Sequence, residues 1–173
     1  MKKILLICVL LFMHSAIAKG VYQTPLAFLG QTFNNNIPNQ STIWIGKDHK
    51  RIISSILQHN PSFIRIKYWQ RDLTTAWVLE EIGKEKPITV GVVITDNKIQ
   101  QLKVLAFRES RGWEVKHDFF TRQFNNASLT DDLKLSETVD GISGATLSVR
   151  ALKKMARIAL YLQQEANHES KTK

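Results

Sequence analysis

The spacing of apolar residues in the first part of the chain predicts two helices and a strand. Thr24 and Pro25 are the residue types of a helix N-cap and a first helical position, and they begin the apolar segment TPLAFLGQTF. In DHKRIISSILQHN, the apolar residues follow helical spacing after Asp48, the expected cap, and Pro61 ends the pattern. The predicted elements are a helix over residues 24–33, a strand over 42–46 and a helix over 48–60.

From residue 62 onward the apolar residues alternate with polar ones, which is the period of a half-buried strand. These segments form two pairs, joined by the turn QRD in the first pair and by Asp96-Asn97 in the second. Asp and Asn tolerate the positive φ angles that a two-residue hairpin turn requires. The middle of the chain is therefore predicted to be an antiparallel sheet, with strands over residues 62–69, 74–83, 87–95 and 98–107.

Helical spacing returns near the end of the chain. Residues 108–124 are predicted to be a loop that ends in a short helix, and residues 125–139 a polar linker. An amphipathic helix then extends from about Leu147 to Gln164 and precedes a frayed tail. Together the elements predict an α+β fold, in which a twisted, mainly antiparallel sheet packs against helices.

The N-terminus has the three parts of a secretory signal: MKK, the apolar run ILLICVLLFM and the small-residue site Ala16-Ile17-Ala18. The alternative is an uncleaved anchor, but a spanning helix needs about 20 apolar residues, and His14 interrupts this run. We expect cleavage after Ala18, a periplasmic location and no stable membrane span. Cys8, the single cysteine, lies in the leader, so the mature chain has no disulfide, thiolate metal site or thiol nucleophile.

The formal net charge of +9 allows an acidic partner, an anionic surface or nucleic acid. The basic residues are scattered, and segments such as VRALKKMAR mix them with apolar positions at helical spacing. This pattern is typical of a solvated helix face. The charge therefore gives no reason to expect nucleic-acid binding.

The segment DGISGATLSVRAL places a glycine-containing loop directly before the last helix. Gly141 and Gly144 permit a tight turn or a close ligand, and the first amides of a helix have no partner within it, so an anion is favoured there. The alternative is an ordinary N-cap formed by Ser143 or Thr146. The segment is neither a GxxxxGK[ST] phosphate loop nor a GxSxG elbow. Spacing alone leaves both interpretations open.

DGISGAT, residues 140–146, resembles the flavinylation motif Dxx(S/T)GA(T/S) of the FMN-binding domain family. This family includes the C subunit of the Na⁺-translocating NADH:quinone reductase and the G subunit of Rnf complexes. The resemblance implies that Thr146 carries FMN through a phosphoester, made by a Mg-dependent FMN transferase with FAD as donor. Ser148 is the second choice for attachment.

A second segment, ESRG, lies where the family has a Glu-Thr-Pro-Gly-like sequence near the flavin. It departs from that sequence because arginine replaces the proline and Trp113 follows the glycine directly. Arg108 is expected either to pair with the phosphate or the flavin ring or to form an ordinary surface ion pair. Phe120 is expected either to stack on the ring or to lie in the core. The resemblance implies cofactor contacts from Asp140, Ser143, Gly144, Ala145, Thr146, Glu109, Ser110, Arg111, Gly112 and Trp113.

The resemblance implies an extracytoplasmic electron carrier, rather than a stand-alone enzyme, that relays electrons from a membrane donor to a periplasmic acceptor. No catalytic residue and no metal ligand is predicted. Two alternatives stay open: a flavin-dependent reductase subunit acting on a small substrate, and a non-redox ligand-binding or regulatory module. The expected division is a signal peptide over 1–18, an N-terminal part over 19–84, the FMN-binding domain over 85–165 and a flexible tail over 166–173.

Overall fold

The computed structural model describes residues 20–171. The predicted signal peptide lies outside the described residues. The strands form one open, antiparallel sheet in the order β1-β2-β3-β4-β5. The elements are α1 (Pro25–Thr32), β1 (Gln40–Trp44), α2 (Lys47–Leu57), β2 (Arg65–Arg71), β3 (Thr74–Ile82), β4 (Pro87–Thr95), β5 (Lys98–Phe107), a 3₁₀ turn (Trp113–Lys116), α3 (Asp118–Thr121), a second 3₁₀ turn (Arg122–Phe124) and α4 (Thr146–Lys171).

The predicted α+β fold is confirmed, and the β4–β5 hairpin has the predicted bounds. Asp96 and Asn97 form its turn with φ angles of 50° and 59°, as a two-residue turn that follows the strand twist requires. Thr24 caps α1 by accepting a hydrogen bond from the amide of Ala27 at 3.2 Å. Alternation and turn chemistry were therefore sufficient to place these elements.

The prediction that Asp48 caps the second helix is wrong. Gly46 occupies the N-cap position, and its carbonyl accepts the amide of Lys50 at 2.9 Å. Asp48 lies in the first turn, where its carboxylate pairs with Arg51 at 3.5 Å. A carboxylate is also favoured in the first turn by the helix dipole, so the same residue type fits both positions.

Both faces of the sheet are covered, which explains why β3 and β4 are apolar along most of their length. On one face α1 packs through Phe28, Leu29 and Phe33. On the other face α2 and α4 bury the larger core, which contains Trp77, Phe120 and Leu152 among others. Buried side chains of α4, such as Leu152, thus hold the helix against the sheet.

A buried polar network also fixes α4 on β3. The indole N–H of Trp77 donates to the hydroxyl of Thr75 at 2.8 Å, and that hydroxyl donates to the side-chain oxygen of Gln163. Because a buried polar group without a partner is costly, this network favours one register of the helix on the sheet. The start of α4 therefore has a defined place beside the sheet edge.

Helix α4 is longer than predicted, since it begins at Thr146 and continues to Lys171. Ala166 is fully buried, so the apolar stripe extends beyond Gln164. Across residues 20–171, no helix is both long and apolar enough to span a membrane.

Candidate functional site

The loop before α4 places Thr146 at the first position of the helix. Gly144 has φ +81°, whereas Gly141 is not among the described residues with positive φ. The amide of Ala145 donates to the carbonyl of Ile142 at 2.9 Å, which closes the turn. Only one of the two glycines therefore supplies the left-handed conformation that the sequence suggested for this loop.

The first amides of α4 have no protein acceptor. Among the hydrogen bonds of the described residues, none involves the amide of Thr146, Leu147 or Ser148. The side chains of Ser143 and Thr146 likewise cap no amide in residues 20–171. Three free N–H groups and the positive end of the helix dipole favour an anion here. An ordinary side-chain cap is not what the geometry shows.

The ESRG segment packs directly under this helix start. Gly112 is buried with φ +82°, and a Cβ atom built on it would lie 2.9 Å from Ser148 Oγ and 3.2 Å from Ala145 Cβ. Both the backbone angle and the close approach require glycine at this position. The two segments singled out in the sequence are therefore in contact, although more than 30 residues separate them.

Glu109 is fixed by the turn between β3 and β4. Its Oε1 accepts the amides of Lys84, Glu85 at 2.7 Å and Lys86 at 3.0 Å. Burial opposes the charged form, but the three amide hydrogen bonds outweigh it and hold the pKa of Glu109 below its ordinary value. Glu109 thus fastens the β3–β4 turn beside the helix start.

A surface cavity of about 480 Å³ lies between these segments. It brings together six of the ten predicted contact residues, and the hydroxyl of Thr146 is exposed at it without a protein partner. Lys84 also lines the cavity, because the pairing of β4 with β5 and the hydrogen bonds of Glu109 bring the β3–β4 turn here; it was not among the predicted contact residues. The lining residues are Lys84, Glu109, Ser110, Arg111, Gly144, Ala145, Thr146, Leu147 and Ser148.

Four predicted contact residues lie outside the lining of this cavity. Gly112 packs under the helix start, and the other three are separate from it. Asp140 and Ser143 are exposed in the preceding loop, where the amide of Asp140 donates to the Gln123 side chain at 2.8 Å. Trp113 is about half exposed and lies 5.3 Å from the ammonium of Lys116. The structure therefore gives these three residues no contact with the cavity.

Arg108 and Phe120 have structural roles. Arg108 donates to Thr89 Oγ1 at 3.0 Å and pairs with Glu80 at 3.5 Å on the sheet surface. Phe120 is fully buried in the core, with its ring 5.8 Å from that of Phe124. Neither lines the cavity.

The donor set of the cavity fits a phosphate ester. It combines the free amides at the start of α4, the cations of Lys84 and Arg111, and a hydroxyl at Thr146, while the acceptor of Glu109 is already occupied. Amides at a helix N-terminus and flanking cations are the usual protein ligands of phosphate. The structure is thus an α+β protein whose last helix begins at a cavity with donors suited to a phosphate.

Comparison with protein families identifies the domain that carries this site. Residues 83–161 match the family model described as FMN-binding domain. The match begins at the β3–β4 turn and includes both segments that meet at the cavity. Comparisons with curated proteins and with solved structures gave no significant match.

The conformation of Gly144 can be tested against the neighbouring glycine. Gly144→Ala is expected to cost about 1 kcal/mol of stability, because an L residue is strained at φ +81° even though no atom lies within 4 Å of the added Cβ. Gly141→Ala, which also meets open space, should change stability by less than about 0.5 kcal/mol. Denaturant unfolding measures both, and equal costs would contradict the assigned conformation.

The role of Glu109 predicts a pH-dependent stability difference. Glu109→Gln should lower the free energy of unfolding at pH 7 by about 1 kcal/mol, because the amides lose a charged acceptor. A lowered pKa in the folded state means that this stabilisation is present above the ordinary value of 4.5 and is lost as the pH falls through the folded value. Unfolding measured from pH 7 to pH 3 should show the two proteins converging, whereas a constant difference would be inconsistent with this role.

Proposed function

We propose that the chain is an extracytoplasmic electron-transfer protein that carries FMN as a phosphoester on Thr146. The observation that carries the proposal is the position of this hydroxyl. It is exposed at the first residue of α4, beside amides without acceptors, in a cavity that also contains Lys84 and Arg111. The family match to FMN-binding domains supports the identity of the bound group.

The geometry favours Thr146 over Ser148 as the attachment residue. Ser148 is only 5% exposed and lies against Gly112, whereas Thr146 is exposed at the loop surface. A transferase must bring its donor to the acceptor oxygen, so accessibility separates the two hydroxyls. In the proposed reaction, Thr146 Oγ1 forms a bond to the flavin-side phosphorus of FAD, the P–O bond to the AMP half breaks, and the hydroxyl proton goes to a base of the transferase.

After attachment the residues of this chain would hold the phosphate. The amides of Thr146, Leu147 and Ser148 and the side chains of Lys84 and Arg111 are the available donors. A bound FMN supplies one- and two-electron redox chemistry, for which the protein contributes position and electrostatics. Because the cavity is at the surface, a flavin held there would be reachable by partner proteins. We infer that these partners are a membrane donor and a periplasmic acceptor, as the signal-like N-terminus suggests.

A denaturing gel tests whether the flavin is covalently bound. The chain is co-expressed with an FMN transferase, denatured and examined for flavin fluorescence, with the same chain expressed alone as the control. We expect a fluorescent band only with the transferase. If the native protein binds flavin but the denatured band is dark, binding is non-covalent and the phosphoester is disproved. Reversible bleaching by dithionite and reoxidation by a one-electron acceptor would test the redox role.

A further inference from the structure

A second cavity, of about 680 Å³, lies further along α4. Its walls are the first half of α4, the linker after Asp132 and the end of α2 at Ile56 and Gln58. It shares no lining residue with the cavity at Thr146. Its volume is in the range of small-molecule sites, and the family resemblance assigns no role to its residues.

The charges on this part of α4 are the reverse of the usual distribution along a helix. The dipole favours anions near the N-terminus and cations near the C-terminus. In α4 the first carboxylate is Glu165, and every charged residue before it is basic. The four cations, which all line the cavity, are Arg150, Lys153, Lys154 and Arg157. Cations placed against the helix dipole in this way are expected where they serve a function.

The cavity wall is held in place by two of these cations. Lys153 Nζ donates to the carbonyl of Val139 at 2.9 Å, and the guanidinium of Arg157 donates to the carbonyl of Leu133. Burial lowers the pKa of Arg157, and the carboxylate of Asp132 only partly offsets this effect. The linker is thus fastened to α4, and the cavity is a built feature rather than a gap between mobile loops.

The carboxylates near the cavity do not balance its cations. Asp132 pairs with Lys134 at 2.5 Å, and Lys154 lies 3.6 Å from the buried Glu81. Glu137 is the other carboxylate that lines the cavity. Arg150 is exposed and has no protein partner among the described residues. Because Lys134 and Lys154 each have a carboxylate partner, three cations remain against Glu137, and the cavity has a net positive charge.

We propose that this cavity binds a small oxyanion with two or more negative charges, of the phosphate-ester or polycarboxylate class. Lys153 and Arg157 line the cavity while they hold its wall. Arg150 is an exposed cation at the same site, and Lys134 is a second one, paired with Asp132. Charge-assisted hydrogen bonds from several cations favour a multivalent over a monovalent anion. This site is independent of the flavin site and does not rest on the proposed function.

Calorimetric titration of the full chain with inorganic pyrophosphate and with citrate tests the proposal. The double variant Arg150→Gln/Lys134→Gln removes two exposed cations from the cavity and should weaken binding at least about tenfold, which corresponds to roughly 1.4 kcal/mol. The matched control, Arg65→Gln/Lys67→Gln, removes the same charge from the surface of β2, outside the cavity. It should change the affinity by less than about twofold, because salt screens the effect of exposed charges on a separate site. The probe that binds more tightly assigns the phosphate or the carboxylate class.

Three outcomes would overturn the proposal. In the first, neither probe binds the wild-type chain at moderate salt. In the second, the two double variants weaken binding equally, which would show a general charge effect. In the third, Arg111→Gln abolishes binding while Arg150→Gln/Lys134→Gln leaves it unchanged, which would place the anion in the cavity at Thr146. Thermal unfolding of each variant, with unchanged midpoints expected for these exposed side chains, confirms that the chain is folded.

Discussion

Replacing Thr146 with alanine is expected to abolish covalent flavin attachment completely. The substitution removes an exposed hydroxyl that lies beside the free amides of α4, whereas the other hydroxyl of the first helical turn, that of Ser148, is buried. The fold should be unaffected, because Thr146 makes no side-chain hydrogen bond within residues 20–171 and lies at the surface. Intact-mass measurement after co-expression with the transferase should show the unmodified chain alone.

Two further variants control this experiment. Thr146→Ser keeps a hydroxyl at the same position, so it should be modified. The rate of its modification measures how much the transferase depends on the threonine methyl group. Ser148→Ala should be modified as fully as the wild type, because its side chain lies against Gly112 and away from the surface. A modified Thr146→Ala protein, or an unmodified Ser148→Ala protein, would contradict the choice of attachment residue.

Gly112→Ala is expected to destabilise the protein by about 2 kcal/mol and to slow flavin attachment. An L residue at φ +82° costs about 1 kcal/mol, and the added Cβ would lie 2.9 Å from Ser148 Oγ, which overpacks the contact. The ESRG segment must therefore shift away from the start of α4. Denaturant unfolding and the time course of modification would measure the two effects.

The source of the cost can be separated with a second substitution. Ser148→Ala removes the oxygen that the new Cβ would meet, but it leaves the strained backbone angle and the 3.2 Å approach to Ala145. The double variant Gly112→Ala/Ser148→Ala should therefore be less destabilised than the sum of the single effects. Strict additivity would show that the two segments do not press on each other at this point.

Much of the fold could be predicted because local chemistry and tertiary packing agree. The apolar segments on either side of Asp96-Asn97 placed β4 and β5, because these two residues tolerate the positive φ angles of a hairpin turn. The cap of α2 was mispredicted because Asp48 suits a first-turn position as well as a cap. The full length of α4 was underestimated, since the helix continues to Lys171 and Ala166 is buried within a polar sequence.

The candidate site was only partly predictable. The segment around Gly144 and Thr146 is local, so its relation to a helix start could be read directly. Lys84 was not predicted, because the motifs point only to the segments around Glu109 and Thr146, whereas Lys84 lines the cavity through the β4–β5 pairing and the hydrogen bonds of Glu109. The sequence also does not show that Gly112 lies against Ser148, since that contact depends on how α4 is seated on the sheet.

The most direct test of the account is peptide mapping of the chain co-expressed with the FMN transferase. The predicted result is one modified peptide, heavier by FMN less one water, with fragment ions that place the added mass on Thr146. Modification at Ser148 or at another residue would contradict the account of the site. A wild-type chain that acquires no added mass, while a known flavinylated substrate is modified in the same cells, would contradict the covalent-flavin proposal itself.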